Sequence, residues 1–226
     1  MTVTAPSVAS DRAARSAAIL AYWLADLDDA STLDPSAEPF RTCYARWYGK
    51  DPAIDREIRA AFEADLVAVT ARHDRWEREL YLWAREPLGL LALVILLDQL
   101  PRNMYRGTPR MYEHDALALR TAIHAIRELE HRELPLLHRM FLYVPLMHAE
   151  DVAVQREMVR RFEALAADAE RRAPHDSGFF RHALGFARRH LGVVERFGRF
   201  PHRNAILGRA TTIDEEDYLR GPDAGF

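Results

Sequence analysis

The sequence predicts an all-α fold. Apolar residues recur at helical spacing along most of the 226-residue chain. No stretch alternates convincingly with period two, and no hairpin turn signal lies between strand-like runs. One run, Leu88 to Leu97, is apolar or Gly at every position, which is the pattern of a helix buried on all sides. It is too short to cross a bilayer, which takes about 20 residues.

The elements follow in order. Residues 1–10 are small and polar and are expected to fray, as is 220–226. Leu20, Trp23, Leu24 and Leu27 mark a first helical face. Pro35 and Pro39 break a loop. Phe40 to Tyr48 is aromatic and fits either a short helix or an extended piece. Asp51-Pro52 reads as an N-cap followed by proline at the first helical position. The helix it starts places Ile54, Ile58, Ala61, Phe62, Leu66 and Val69 on one stripe and runs to about Arg72. Trp76, Leu80 and Trp83 form another face before Pro87.

The run from Leu88 is then expected as a central helix near 88–100. Pro101 should end or bend it, because the residue before proline is pushed out of the α region. Arg106 to Pro109 is a turn. A long helix follows with Met111, Ala118, Leu119, Ala122, Ala125, Ile126 and Leu129 on one face, and Asp115 falls on that same stripe. Pro135 to Leu142 is a short apolar helix that Pro145 should break. Glu150 to about Arg172 is helical, with Val152, Val159, Phe162 and Leu165 inward, and Phe179 to Arg196 is another helix. Thr212 to Glu215 has the Thr-x-x-Glu form of a capping box and opens a last short helix near Leu219. The layout is one helical domain over 1–226, with roughly eight to ten helices packed as antiparallel hairpins.

Composition bounds the function classes. A 49% hydrophobic, 29% charged chain with net charge −3 is ordinary for a globular protein and has no global basic field for nucleic acid. Cys43 is the one cysteine, which excludes an internal disulfide and suits a reducing cytoplasm. Asp11, Arg12, Arg15 and Asp26 interrupt any apolar leader, so no signal peptide is expected, and no membrane span either. No metalloprotease His-Glu-x-x-His, Cys-x-x-Cys, P-loop or Gly-x-Ser-x-Gly elbow is present. Glu128 to His131 is a lone Glu-x-x-His, where a di-iron bundle needs two.

Three polar clusters stand at helix ends next to prolines. The first holds Asp98, Gln99, Arg102 and Asn103. The second holds His148, Glu150 and Asp151. The third holds Arg196, Arg199, His202, Arg203 and Asn204. The first and third share the form Arg-Asn-x-x-x-Gly, as Arg102-Asn103 before Gly107 and Arg203-Asn204 before Gly208, which predicts two similar corners facing one site.

These runs also carry a family resemblance. Leu97 to Asn103 and Arg196 to Asn204, within the wider segments 95–107, 141–155 and 197–216 and with 47–59 earlier, resemble the bacterial family catalogued as domain of unknown function 924. The resemblance extends from about Ala18 to Leu219. It departs at Leu100, where the family usually has Phe, and over Glu128 to Glu133. It implies a helical fold similar to tetratricopeptide repeats and leaves the chemistry open, since that family has no established activity.

Two functions fit the clusters. In one, Arg196, Arg199 and Arg203, with Asp98, Gln99, Arg102, Asn103, Glu150 and Asn204, line a polar site for a small anionic molecule, because guanidinium forks bind carboxylate or phosphate. His148, Asp151 and His202 would then move a proton, in a hydrolytic or proton-transfer step. The same three have the side-chain types of metal ligands; the sequence leaves the cofactor unknown. In the other, the protein is a scaffold that binds a peptide or protein in a groove, and the arginines tie helix ends by pairing with Asp98, Asp115, Glu150 or Asp151. Glu150 and Asp151 would sit in a helix first turn, where acids complement the dipole. Asp115 needs a partner if buried, and Arg102 and Arg106 are the candidates.

Overall fold

The computed structural model describes residues 8–71, 75–86, 88–128 and 131–221, with side chains from residue 11 onward. The expected helix end at Arg72, the Pro87 break, the inward placement of Leu129 and the tail residues 1–7 and 222–226 lie outside the described residues. Among those described, there is helix and no strand.

Helix α1 (Val8–Leu24) buries Ile19, Trp23 and Leu24. The aromatic stretch is helical, as α2 (Phe40–Tyr48), and buries Phe40 and the free thiol of Cys43. Helix α3 (Pro52–Thr70) starts as expected: Asp51 accepts a hydrogen bond from Ala53 N, and Pro52 follows it. Of its expected stripe, Ile58, Phe62, Leu66 and Val69 are buried, Ile54 is half-buried, and Ala61 is exposed at the edge of the face. Helix α4 (Trp76–Ala84) buries Trp76, Leu80 and Trp83.

The apolar run departs from expectation in one respect. It is α-helical as α5 (Gly89–Val94), opens into a π turn over Ile95–Gln99, and resumes as α6 (Leu100–Met104). Pro101 neither ends nor breaks it. In the π turn the N–H of Leu100 reaches back to the carbonyl of Ile95. Pro101 thus falls in the first turn of a new α segment, where its missing N–H has no partner to lose. Leu90 to Leu97 are at most 1% exposed, and α1 and α4 pack against α5.

A short 3-10 helix (Pro109–Tyr112) takes up Met111, and α7 (Asp115–Glu128) begins after it, so the long helix starts later than its apolar stripe. Helix α8 (Leu136–Met147) continues through Pro145 and ends two residues beyond it, the carbonyl of Phe141 being left without the N–H that proline lacks. Both α7 and α8 contact α5. Helix α9 (Val152–Arg172) is capped by Asp151, whose carboxylate accepts from Val154 N. Phe162 and Leu165 are buried, while Val152 and Val159 are half-buried. Helix α10 (Ser177–Phe197) ends at a left-handed Gly198. Residues 148–151 join α8 to α9, and 173–176 join α9 to α10; each pair is packed together, as antiparallel neighbours with short connections are. A 3-10 turn (Pro201–Arg203), α11 (Asn204–Leu207) and α12 (Ile213–Leu219) close the chain. The Thr212–Glu215 capping box is formed on both sides. The large apolar cluster spans α1 to α10; a smaller one holds Val193, Val194 and Phe200.

Candidate functional site

The π turn sets the first part of the site. Asp98 lies inside the rod and is only 1% exposed. One carboxylate oxygen, Oδ1, sits 2.7 Å from His148 Nδ1, and the other accepts from Gln99 Nε2. Arg102, one turn on, donates to the Asp98 carbonyl and lies 3.3 Å from Oδ1. Burial by itself raises the Asp98 carboxyl; Arg102 and His148, with the Gln99 bond, outweigh it and hold it below the ordinary carboxylate range. The group is therefore an anion and can only accept, so His148 carries its proton on Nδ1 and its basic atom is Nε2.

His148 comes from the C-cap of α8. Burial, then the positive charge of Arg102, lowers its pKa despite the Asp98 anion beside it. Its imidazole is neutral at pH 7. A second histidine, His190 on α10, lies with its ring 6.5 Å from that of His148 and is held near pKa 3, chiefly by burial. Its Nδ1 donates to Phe186 O at 2.9 Å.

Asp115 joins the first and third clusters. Arg102 Nη2 donates to its Oδ2 at 3.1 Å, and Nη1 lies 3.1 Å from Oδ1, which is buried and accepts no hydrogen bond. Arg203 Nη1 also donates to Oδ2, at 3.1 Å. The two Arg-Asn corners thus meet through their arginines. Gly198 ends α10 and turns the chain so that Phe200 is buried and Arg203 points inward, 6% exposed. Its guanidinium lies over the rings of Tyr112 (4.6 Å) and Phe200 (4.7 Å), and its Nη2 donates to His148 O at 3.1 Å. Its Nε–H is buried without a hydrogen-bond acceptor. The two arginines also differ in charge balance. Burial opposes both cations; at Arg102 two carboxylates outweigh it and raise the pKa, whereas at Arg203 burial wins over Asp115 and the pKa falls.

The asparagines of the corners face elsewhere, into two similar ties. Asn103 donates to Asp55 Oδ1 (3.0 Å), and Asp55 is gripped by Arg106 through Nε (2.7 Å) and Nη2 (2.9 Å). Asn204 donates to Glu215 Oε2 (3.2 Å), and Glu215 is gripped by Arg199 through Nε (2.7 Å) and Nη2 (2.8 Å). In each corner an Asn and an Arg share one carboxylate, and a left-handed glycine, Gly107 or Gly208, follows.

Of the sequence-predicted residues, Asp98, Gln99, Arg102, His148 and Arg203 are brought together. His202 lies beside them, its ring 5.7 Å from that of Phe200, with its pKa lowered to about 4 by burial and by Arg203. Asp151 is not there: its exposed carboxylate is spent on the α9 cap. Arg196 is exposed and covers the Phe197 ring. Glu150 binds Arg209 (2.6 and 3.0 Å) and the Phe200 N–H (2.8 Å), so it fixes the third corner from outside. Asn103, Arg199 and Asn204 belong to the ties. Among the described residues, no group of three or more His, Cys, Asp or Glu is placed to hold a metal ion. Sequence reasoning missed Tyr112, His190 and Glu215 as members of these networks. For Glu215 the capping box was the visible signal, and it pointed to a cap alone.

Residues 19–223 match the family model described as "Bacterial protein of unknown function (DUF924)". A solved structure of a protein of unknown function from Agrobacterium tumefaciens is similar in sequence and fold. It is 36% identical with a TM-score of 0.69, and the match covers 93% of this chain and 99% of that one. No curated protein matches.

Proposed function

The chain belongs to the DUF924 family of bacterial proteins of unknown function, and from the side chains gathered around Asp115 we propose that it binds a small anionic molecule beside Arg203, with the His148–Asp98 pair placed to take a proton. The observation that carries this reading is the state of Arg203. A guanidinium on a residue only 6% exposed, short of compensating charge and with an unmet Nε–H, lacks one acceptor. An anionic oxygen supplies both the hydrogen bond and the charge. His148 is neutral, with Nε2 as base and Asp98 fixing its tautomer, the arrangement of a general base.

The rival reading is a helical scaffold for a peptide or protein, with the clusters as structural ties. It accounts for Asp55–Arg106 and Glu215–Arg199, whose groups satisfy one another, and leaves the Nε–H of Arg203 unexplained. Nucleic acid is disfavoured by the net charge of −3. Among the described residues no helix is long and apolar enough to cross a membrane.

Thermal melts with sulfate and phosphate, against chloride at equal ionic strength, test the proposal. An anion at ten times its Kd stabilises the folded state by about 1.4 kcal/mol, which raises Tm by roughly 3–6 °C for a chain of this size. Arg203→Ala should remove that anion-specific rise. If the parent shows no rise beyond chloride, and Arg203→Ala only lowers Tm, the scaffold reading replaces this one.

A further inference from the structure

We propose that Asp115 is a tethered occupant of a carboxylate site built by Arg102 and Arg203, and that the ligand of this protein is a small carboxylate that takes its place. The inference rests on the anion-binding reading of Arg203 and names the ligand class. Asp115 shows the recognition geometry directly. Arg102 Nη2 and Arg203 Nη1 each donate to its Oδ2 at 3.1 Å, and Arg102 Nη1 lies 3.1 Å from Oδ1 as an ion-pair contact, Oδ1 itself accepting no hydrogen bond. Two guanidiniums converging on one carboxylate, with an oxygen still open to a donor, mark a place that takes a carboxylate, and the second arginine fixes its orientation.

The acid and the cations differ in how they are held. Arg102 stands on the buried rod, and Arg203 is walled by Phe200, which is 0% exposed. Asp115, by contrast, follows the segment 106–114, in which no residue is buried. That segment opens with Gly107 at φ +76° and contains the 3-10 helix Pro109–Tyr112. It lies over the site through one ring: Tyr112 covers Arg203 at 4.6 Å and Arg102 at 5.8 Å. Arg106 anchors its start on Asp55 and Met111 packs against the main core, while Arg110 Nη2 reaches Tyr105 Oη at 2.9 Å and Thr108 Oγ1 reaches Tyr105 O at 2.7 Å. Displacing Asp115 therefore moves the segment 107–114 together with the first turn of α7 and leaves both arginines in place, with the Nε–H of Arg203 available to a larger ligand.

An internal competitor lowers apparent affinity by the fraction of time it occupies the site. Asp115→Asn keeps the shape and removes the charge, so acetate and formate should bind this variant at least tenfold more tightly than the parent, in calorimetric titrations with chloride as control. Arg102→Gln added to it should abolish the gain. In the parent, acetate should speed amide exchange over 106–114. Unchanged or weaker acetate binding in Asp115→Asn overturns the proposal, since a residue that merely holds the arginines ready would give that result. If Asp115→Asn does not fold, Tyr112→Ala, which uncovers both guanidiniums, should tighten acetate binding in the same direction, and no change overturns the proposal. Sulfate protection of the parent that depends on Arg203, together with no acetate gain in Asp115→Asn, would leave the anion site standing and remove only the tethered occupant.

Discussion

Three histidines near Arg203 make the site a proton store held empty. His190 is depressed to about 3 and His202 to about 4, and His148 is lowered as well, all first by burial. Unfolded, each titrates near 6.5. Between those values the unfolded chain binds protons that the folded chain refuses, so stability must fall as pH drops from about 6.5 toward 4. His190→Gln should flatten that slope by close to one proton. The measurement is the pH dependence of urea unfolding; a slope unchanged by the substitution would show that His190 is not protonated on unfolding. Asp98 acts in the same direction at lower pH. Its depressed pKa contributes stability above the unfolded carboxylate value, and that contribution is lost on further acidification.

At the scale of the element, the rod matters for two reasons. Its α5 portion fills the core, and its π turn aims Asp98. Leu93 and Leu96 are 0% exposed, so either change to Ala removes buried methyl groups and leaves a cavity, at a cost of about 2–5 kcal/mol. Urea melts should show the loss as a lower midpoint with little change in slope; a loss under about 0.5 kcal/mol would mean that the neighbours collapse into the gap. The π turn explains why a proline is tolerated in the middle of the helical run. One extra residue in the turn shifts the hydrogen-bond ladder, Pro101 begins a new segment, and Asp98 is left buried beside His148. Such turns recur at functional sites.

Across the whole molecule, the C-terminal part is held differently from the rest. The main apolar cluster runs through α1 to α10, while Val193, Val194 and Phe200 form a small one next to the third corner. The Glu215 tie fastens α12 there. Glu215 is 2% exposed and depends on Arg199 for two hydrogen bonds, with Asn204 and the Thr212 N–H supplying the others. Arg199→Ala leaves a buried carboxylate short of donors, at about 1–3 kcal/mol. The expected result is local: limited proteolysis should cut between Arg209 and Arg220 well before the remainder is attacked. Loss of the entire fold in one step would show instead that both clusters unfold as a unit.

The helices, their inward faces and the buried apolar run were written in the sequence. So were the Asp51 cap, the Thr212–Glu215 box, and the three polar clusters at helix ends. Each of these is decided by residues within a few positions of one another, through hydrogen-bond ladders and the 3.6-residue period. The partner of Asp115 was narrowed to Arg102 or Arg106, both within 13 residues of it; the structure pairs Arg102 with Asp115 and Arg106 with Asp55. What the sequence left open was the choice among distant partners. Arg203 reaches Asp115 across 88 positions, and His148 reaches Asp98 across 50. Asp151, next to Glu150 and identical to Asp98 in chemistry, caps a helix instead. With 31 basic and 34 acidic side chains in the chain, many pairings have equal claim on paper. Ion pairs act over a few ångströms with no preferred separation along the chain, so only the packed helices could select which acid stands between Arg102 and Arg203.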